Sequence, residues 1–330
     1  MTAPVVGWYA HHLGAGHVNR ALTVARRTTA DVVVLSSAPR PPVWPASRWV
    51  ALPRDDAPGG EDHGAGGLLH WAPLHHDGYR DRMATISEWA AAARPAALVS
   101  DVSVEVLLLG RLLGLHTIGV VMAGDRRDRP HQTGYAAAGR LVAAWPQAVT
   151  PLTGWRSAWD AKTTWLGAMS RFDGRPAAPA PGNRCVTVLW GRGSSLSESD
   201  LAAATAATPG WHWSTVGSDD PERVWAELQA ADVVVTHAGQ NALAEVGAAR
   251  RPAVVLPQPR PHDEQVQLAA SVGRSAPVTV CAQWPSPSDW PSLLAQTAAL
   301  DGAGWSAWSD GSAVDRFAAL VDEVAGLWAA

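Results

Sequence analysis

Residues 232–269 read DVVVTHAGQNALAEVGAARRPAVVLPQPRPHDEQVQLA. A β-branched run ends at Thr236, a glycine turn follows at Ala238-Gly239, and a helical period begins near Gln240 or Asn241. This is a strand feeding a helix through a tight turn, the βα half of a parallel unit. The start of such a helix offers unpaired amides and the positive end of the helix dipole, which suit a phosphate or diphosphate. Glu245 follows six residues after Gly239 on an otherwise apolar helix. Burying that carboxylate alone is costly, and a ribose diol would supply two donors. A second βα unit delivers residues 257–261 and the polar triplet Asp263, Glu264 and Gln265 to the same edge, where they suit sugar hydroxyls.

The same pattern extends upstream. Residues 185–190 read as a strand ending in Gly191-Arg192-Gly193-Ser194, followed by a helix over 197–207, a strand at 211–216 and a helix at 221–230. Near the amino terminus, a strand at 5–9 runs into a glycine turn at 11–16. A helix with Val18, Ala21, Leu22 and Ala25 on one face comes next, and then a strand at 31–35. That order is a βαβ unit with a right-handed crossover. Strands at 97–100 and 117–122 flank a helix over 104–113, and the polar turn 123–130 leaves a strand end, where open α/β sheets bind ligands. A Pro/Ala/Gly stretch at 175–182 marks a boundary. The expectation is an α/β chain of two domains, 1–170 and 171–330, facing a central cleft. Each has enough residues for its own core, and the amphipathic segment 313–328 packs on either.

With 47% hydrophobic and 17% charged residues, the 330-residue chain is not disordered. A net charge of -4 without a basic run argues against nucleic acid as a partner. The two cysteines, Cys185 and Cys281, form no CxxC and read as free thiols in a reducing, cytoplasmic setting. The amino terminus lacks the pattern of a signal peptide, and the longest apolar stretch, 102–123, is broken by Glu105, Arg111 and His116. The 18 Trp against 3 Tyr and 2 Phe read mainly as compositional bias, but Trp71 and Trp190 fall near expected ligand edges. Neither His11, His12 and His17 nor His70, His75 and His76 has a cysteine or carboxylate at zinc spacing, and no Asp-x-Asp occurs. No metal and no cofactor are therefore expected. G-x-S-x-G and G-x-x-x-x-G-K-[ST] are absent, which disfavours a serine hydrolase and a P-loop NTPase.

The second half resembles the donor-binding domain of GT-B glycosyltransferases, specifically family 28. That pattern is a His/Ser-x-Gly turn, a helix bearing Glu, a G-x-P-x-x-x-x-P strand and a downstream Asp/Glu-Gln pair. Here it is carried by His237-Ala238-Gly239, Glu245, Arg251-Pro252 through Pro257, and Glu264-Gln265. Gly14-Ala15-Gly16-His17 is similar to the amino-domain G-x-G-H loop that faces the transferred group, and Gly191–Ser194 to the glycine-rich turn of the donor domain. The resemblance implies a GT-B fold of two Rossmann-like domains. It also implies transfer of a hexosyl or N-acetylhexosaminyl group from a UDP-sugar to an acceptor hydroxyl, without metal and with inversion. By the same resemblance Gly239, Gln240 and Asn241 meet the phosphates, Glu245 the ribose, and Glu264 and Gln265 the donor sugar. His237, Asp263 and Gly191–Ser194 belong to that donor edge, with Arg192 helping to neutralise the diphosphate. Arg251 stands where the family has Gly, a change expected to be tolerated on a surface turn.

A general base must reach the acceptor hydroxyl with a pKa near neutrality. His17 is the leading candidate. Asp125 is the second, as base or as the partner that orients His17. The loop 64–76, with His70, Trp71 and His76, is the expected acceptor-facing insertion, beside Gly14 and Gly16, and Arg126 and His131 suit an anionic acceptor. The acceptor is either lipid-linked or a secondary metabolite. The first would bring peripheral contact with the inner membrane face, where Arg20, Arg26 and Arg27 form a modest basic cluster. Two alternatives share this architecture: a UDP-sugar 2-epimerase and a non-catalytic nucleotide-sugar-binding protein.

Overall fold

Short runs of valine and alanine, shielded on both faces, build two parallel sheets. A computed structural model of the chain describes residues 3–13, 16–190, 196–217 and 220–327. The first half contains β1 (Val5–Ala10), β2 (Asp31–Ser36), β3 (Trp49–Ala51), β4 (Ala97–Asp101), β5 (His116–Val121), β6 (Gly124–Asp125), β7 (Arg140–Ala143), β8 (Leu152–Thr153) and β9 (Thr163–Trp165). Seven of these form one sheet in the order β3-β2-β1-β4-β5-β7-β9, and β6 pairs separately with β8. The second half contributes β10 (Cys185–Leu189), β11 (His212–Val216), β12 (Val233–His237), β13 (Ala253–Leu256) and β14 (Val278–Val280), in the order β11-β10-β12-β13-β14. All described strand pairs of both sheets are parallel.

The crossovers are helices: α1 (Gly16–Ala25), α2 (Asp77–Ala93), α3 (Val104–Leu112) and α4 (Arg129–Ala137) in the first half, α5 (Glu198–Ala207), α6 (Pro221–Ala230), α7 (Gln240–Ala248), α8 (Glu264–Val272) and α9 (Trp290–Ala298) in the second. The last helix, α10 (Ala313–Gly326), returns to the first domain. Its Phe317 ring lies 5.0 Å from that of Trp8, and Asp322 accepts from the amide of Thr29 at 2.9 Å. Two Rossmann-like domains thus face one cleft, the expected GT-B arrangement. One apolar core runs through the junction, from Leu107, Val121 and Leu141 to Val234, Leu243 and Leu268.

Strand order locates the ligand edges. In each sheet the order reverses once, between β1 and β4 in the first domain and between β10 and β12 in the second. At each reversal the two flanking crossovers run on opposite faces of the sheet, which opens a crevice at the carboxyl ends of the strands. Ala10 pairs with Asp101 at the first crevice, and Leu189 with Thr236 at the second.

Candidate active site at the interdomain cleft

Asp101, the last residue of β4, is fully buried at the first crevice. Its Oδ1 lies 2.7 Å from Nη1 of Arg20 and 3.1 Å from Nδ1 of His17, both on α1. Burial pushes this carboxyl up, but the adjacent Arg20 guanidinium and His17 imidazole hold it below its ordinary value, so it is ionised. A carboxylate on Nδ1 fixes the imidazole orientation and leaves Nε2 to accept a proton. The partner of His17 is therefore Asp101. Asp125, expected in that place, is instead gripped by Arg127, whose Nε lies 2.9 Å from Oδ1. Those bonds hold its carboxyl down at about 2, which makes it a poor base.

A cavity of about 390 Å³ opens beside this dyad, lined by Tyr9, His11, Trp71, Tyr79 and Met83 among others. His11 stacks on His12 at 4.7 Å and meets the edge of the His17 ring at 6.0 Å. Burial and the neighbouring histidines push His11 down to about 4, so it is neutral. Trp71 is held by its Nε1, which donates to the carbonyl of Asp55, and by a stack on His63. The cavity's acids are mostly spoken for. Asp55 pairs with the buried Arg82 at 2.8 Å, Asp56 pairs with Arg54, and Glu105 accepts from the amides of His70 and Trp71 and from the Ser103 hydroxyl.

His70 and Trp71 line this cavity, but two other expected acceptor residues have structural duties. His76 is the N-cap of α2, accepting from the amide of Tyr79 at 3.1 Å while its Nε2 meets the carbonyl of Ala57. Arg126 is buried and bonds to the carbonyls of Met122 and Ala123 and to Nε2 of His131. Neither Arg126 nor His131 is open to an anionic acceptor. Arg20, counted with Arg26 and Arg27 as a surface cluster, is buried because it neutralises Asp101.

The second crevice is shaped by the turn before α7. His237 folds back so that its Nδ1 accepts from the amide of Gly239 at 2.9 Å, and a Cβ at position 239 would meet the ring at 2.4 Å. Any larger residue there would displace the His237 ring from this bond. Burial pushes His237 down to about 4, which leaves it neutral. The first helical bond runs from the amide of Leu243 to the carbonyl of Gly239, and no side chain caps α7. Among the described residues no acceptor meets the amides of Gln240, Asn241 and Ala242, which suits them to an anion. Nearby lies a cavity of about 420 Å³ lined by Trp190, Leu256, Gln258, Arg260 and Trp284, among others. Gly14 and the turn Gly191, Arg192, Gly193 and Ser194 lie outside the described residues.

The two crevices touch. Arg20 Nη2 donates to Oε1 of Gln240 at 3.1 Å, and a Cβ on Gly16 would lie 2.3 Å from the carboxamide of Asn241. Glu264, at the start of α8, is raised by burial, against the lowering fields of Arg126, His17 and Arg20. Its neighbours differ. Asp263 is exposed, and Gln265 is buried with its Oε1 accepting from the amide of Gln258, a brace for the loop before α8. Glu245 is buried too, but its donor is Arg171 at 2.9 Å rather than a ribose, and the gap beside it is about 40 Å³, room for little more than water. Burial lifts its carboxyl to about 7 even against the Arg171 charge. Arg251 is not on a surface turn at all. It is buried, and its guanidinium bonds to the carbonyls of Leu228, Ala178 and Gln229.

Residues 222–282 match the C-terminal domain of glycosyltransferase family 28. A sequence comparison with curated proteins finds no match. Among solved structures, the chain is similar to the glycotransferase of kitacinnamycin, with a TM-score of 0.64 and 17% identity over 98% of this chain and 100% of that one. It is similar to MurG of Acinetobacter baumannii, with a TM-score of 0.63 and 16% identity over 98% and 100%. The UGT2 of Phytolacca americana, solved with UDP-2fluoro-glucose and pterostilbene, aligns with a TM-score of 0.66 and 15% identity over 99% and 100%. No described helix is long and apolar enough to cross a membrane. Two reversed-order parallel sheets, a shared cleft and the full-length likeness to these structures give the chain the GT-B fold, within which residues 222–282 match the C-terminal domain of glycosyltransferase family 28.

Proposed function

We propose that the chain transfers a hexosyl or N-acetylhexosaminyl group from a UDP-sugar to a hydroxyl of a compact, largely apolar acceptor, with inversion. The observation that carries this reading is the meeting of the two crevices. His17 on the buried Asp101 stands at one, an uncapped helix N-terminus at the other, and Arg20 touches both. His17 Nε2 takes the proton of the acceptor hydroxyl as its oxygen bonds to the anomeric carbon, and Asp101 stabilises the resulting imidazolium. The bond from the anomeric carbon to the diphosphate breaks, and the amides at the start of α7 receive the negative charge of departing UDP. Proteins of this fold have been solved with UDP and with UDP-2fluoro-glucose, which supports the choice of donor.

The first cavity supports the choice of acceptor. Its walls include Tyr9, Trp71, Tyr79 and Met83, His11 is neutral, and Asp55 and Asp56 are paired with arginines. Such a site favours an uncharged, partly aromatic molecule carrying a hydroxyl, of the secondary-metabolite kind rather than a lipid-linked one. A 2-epimerase would need free acid/base carboxylates here, whereas Asp101 is bound between Arg20 and His17.

His17→Ala should lower kcat by about 10²–10⁴-fold with UDP affinity retained. Unchanged turnover would remove His17 as the base. Trp71→Ala should raise the acceptor KM more than the donor KM, and equal effects on both would place the acceptor elsewhere.

A further inference from the structure

Three histidines converge on one carboxylate where the two domains meet. His70 comes from the loop before α2, Asp128 and His131 from the start of α4, and His262 from the second-domain loop before α8. Their ligand atoms lie within 4.8 Å of one another. His70 Nε2 is 3.0 Å from Asp128 Oδ1, His131 Nδ1 is 2.6 Å from Oδ2, and His262 Nδ1 is 3.7 Å from Oδ2.

The four groups do not have equal roles. Arg126 donates to His131 Nε2 at 2.9 Å, and a guanidinium is only a donor, so the His131 proton sits on Nδ1 against Asp128. His131 is therefore the residue that holds the carboxylate in place. His70 Nε2, His262 Nδ1 and Asp128 remain as three converging donors. Bonds of about 2.0–2.1 Å in a tetrahedral site put ligand atoms about 3.4 Å apart, and the observed separations to Asp128 fall on either side of that value. The backbone supports the aim of His262: it and Asp263 both adopt left-handed conformations, with φ of 60° and 54°, that non-glycine residues rarely take in succession.

His70, Asp128 and His262 each keep about a third of the side chain exposed, which gives an ion a way in.

We propose that His70, Asp128 and His262 bind one divalent transition-metal ion of the zinc class, which clasps the two domains and keeps an open coordination position. The geometry differs from the sequence expectation because the ligands come from segments almost 200 residues apart, so no local spacing announces them.

The test uses the full chain, stripped with a chelator and titrated with Co²⁺ alone while visible d–d absorption is followed. The expected result is one Co²⁺ per chain, displaced by Zn²⁺, with binding weakened at least about tenfold by either His262→Ala or Asp128→Asn. Asn is a good helix N-cap and His262 sits on an exposed loop, so both variants should fold. His75→Ala, at an exposed position outside the cluster, should bind as the parent does. Failure to bind Co²⁺ stoichiometrically, or binding that survives both His262→Ala and Asp128→Asn, would overturn the proposal.

Discussion

A guanidinium taken out of water has to have its donors satisfied, and Arg251 is held by backbone carbonyls between α6 and the segment 178–179. Arg251→Ala should therefore lower stability in urea unfolding by about 2–4 kcal/mol, because it strands several buried carbonyls at once. Lys should not restore it, since one ammonium cannot reproduce the planar fork. Glu245 makes a second residue-level prediction. Its carboxyl titrates near 7 in the folded chain against an ordinary value near 4.5, so the folded state binds the proton more tightly than the unfolded state does. That linkage supports folding fully below about pH 4.5 and is lost as pH rises through 7. Glu245→Gln lacks it, and should gain on the parent by up to about 3 kcal/mol between pH 4.5 and 7, with no further gain above. A difference that is flat with pH would mean that Arg171 compensates the buried charge in full.

At the scale of elements, α10 joins the ends of the chain. Phe317→Ala should cost about 3–5 kcal/mol, read as a fall in the denaturation midpoint of the first domain, because its ring is fully buried against Trp8. Which domain α10 covers was not legible from its amphipathic period, since the period gives a face and not a partner. The longer strands and the helices between them were legible, because five or six buried residues bounded by turns carry a clear signal. Strands of three residues, β3, β9 and β14, were not, and the pair β6–β8 is shorter still. The candidate site divides along the same line. The turn before α7 announces itself locally through Gly239, and His17 through the glycine turn beside it. Asp101 has no local signature, because its meeting with His17 depends on β4 lying next to β1, which is a property of strand order. Arg171 and Arg251 likewise acquire their partners only through tertiary contact.

For the whole molecule, a donor that bridges both crevices should stabilise the folded chain by mass action. UDP and UDP-sugars are expected to raise Tm more than GDP or dTDP, and no shift with any nucleotide would contradict the proposed donor site. Arg20 has a different consequence. One side chain binds the carboxylate beside the proposed base and also the first residue of the helix proposed to face the leaving group. In that reaction, proton removal from the acceptor and charge build-up on the diphosphate would be felt by the same cation, which would couple the two events energetically although they occur in different domains. In a double-mutant cycle, Asp101→Asn and Gln240→Ala should be non-additive in kcat by about 0.5–3 kcal/mol, whereas strictly additive effects would show that the domains act independently.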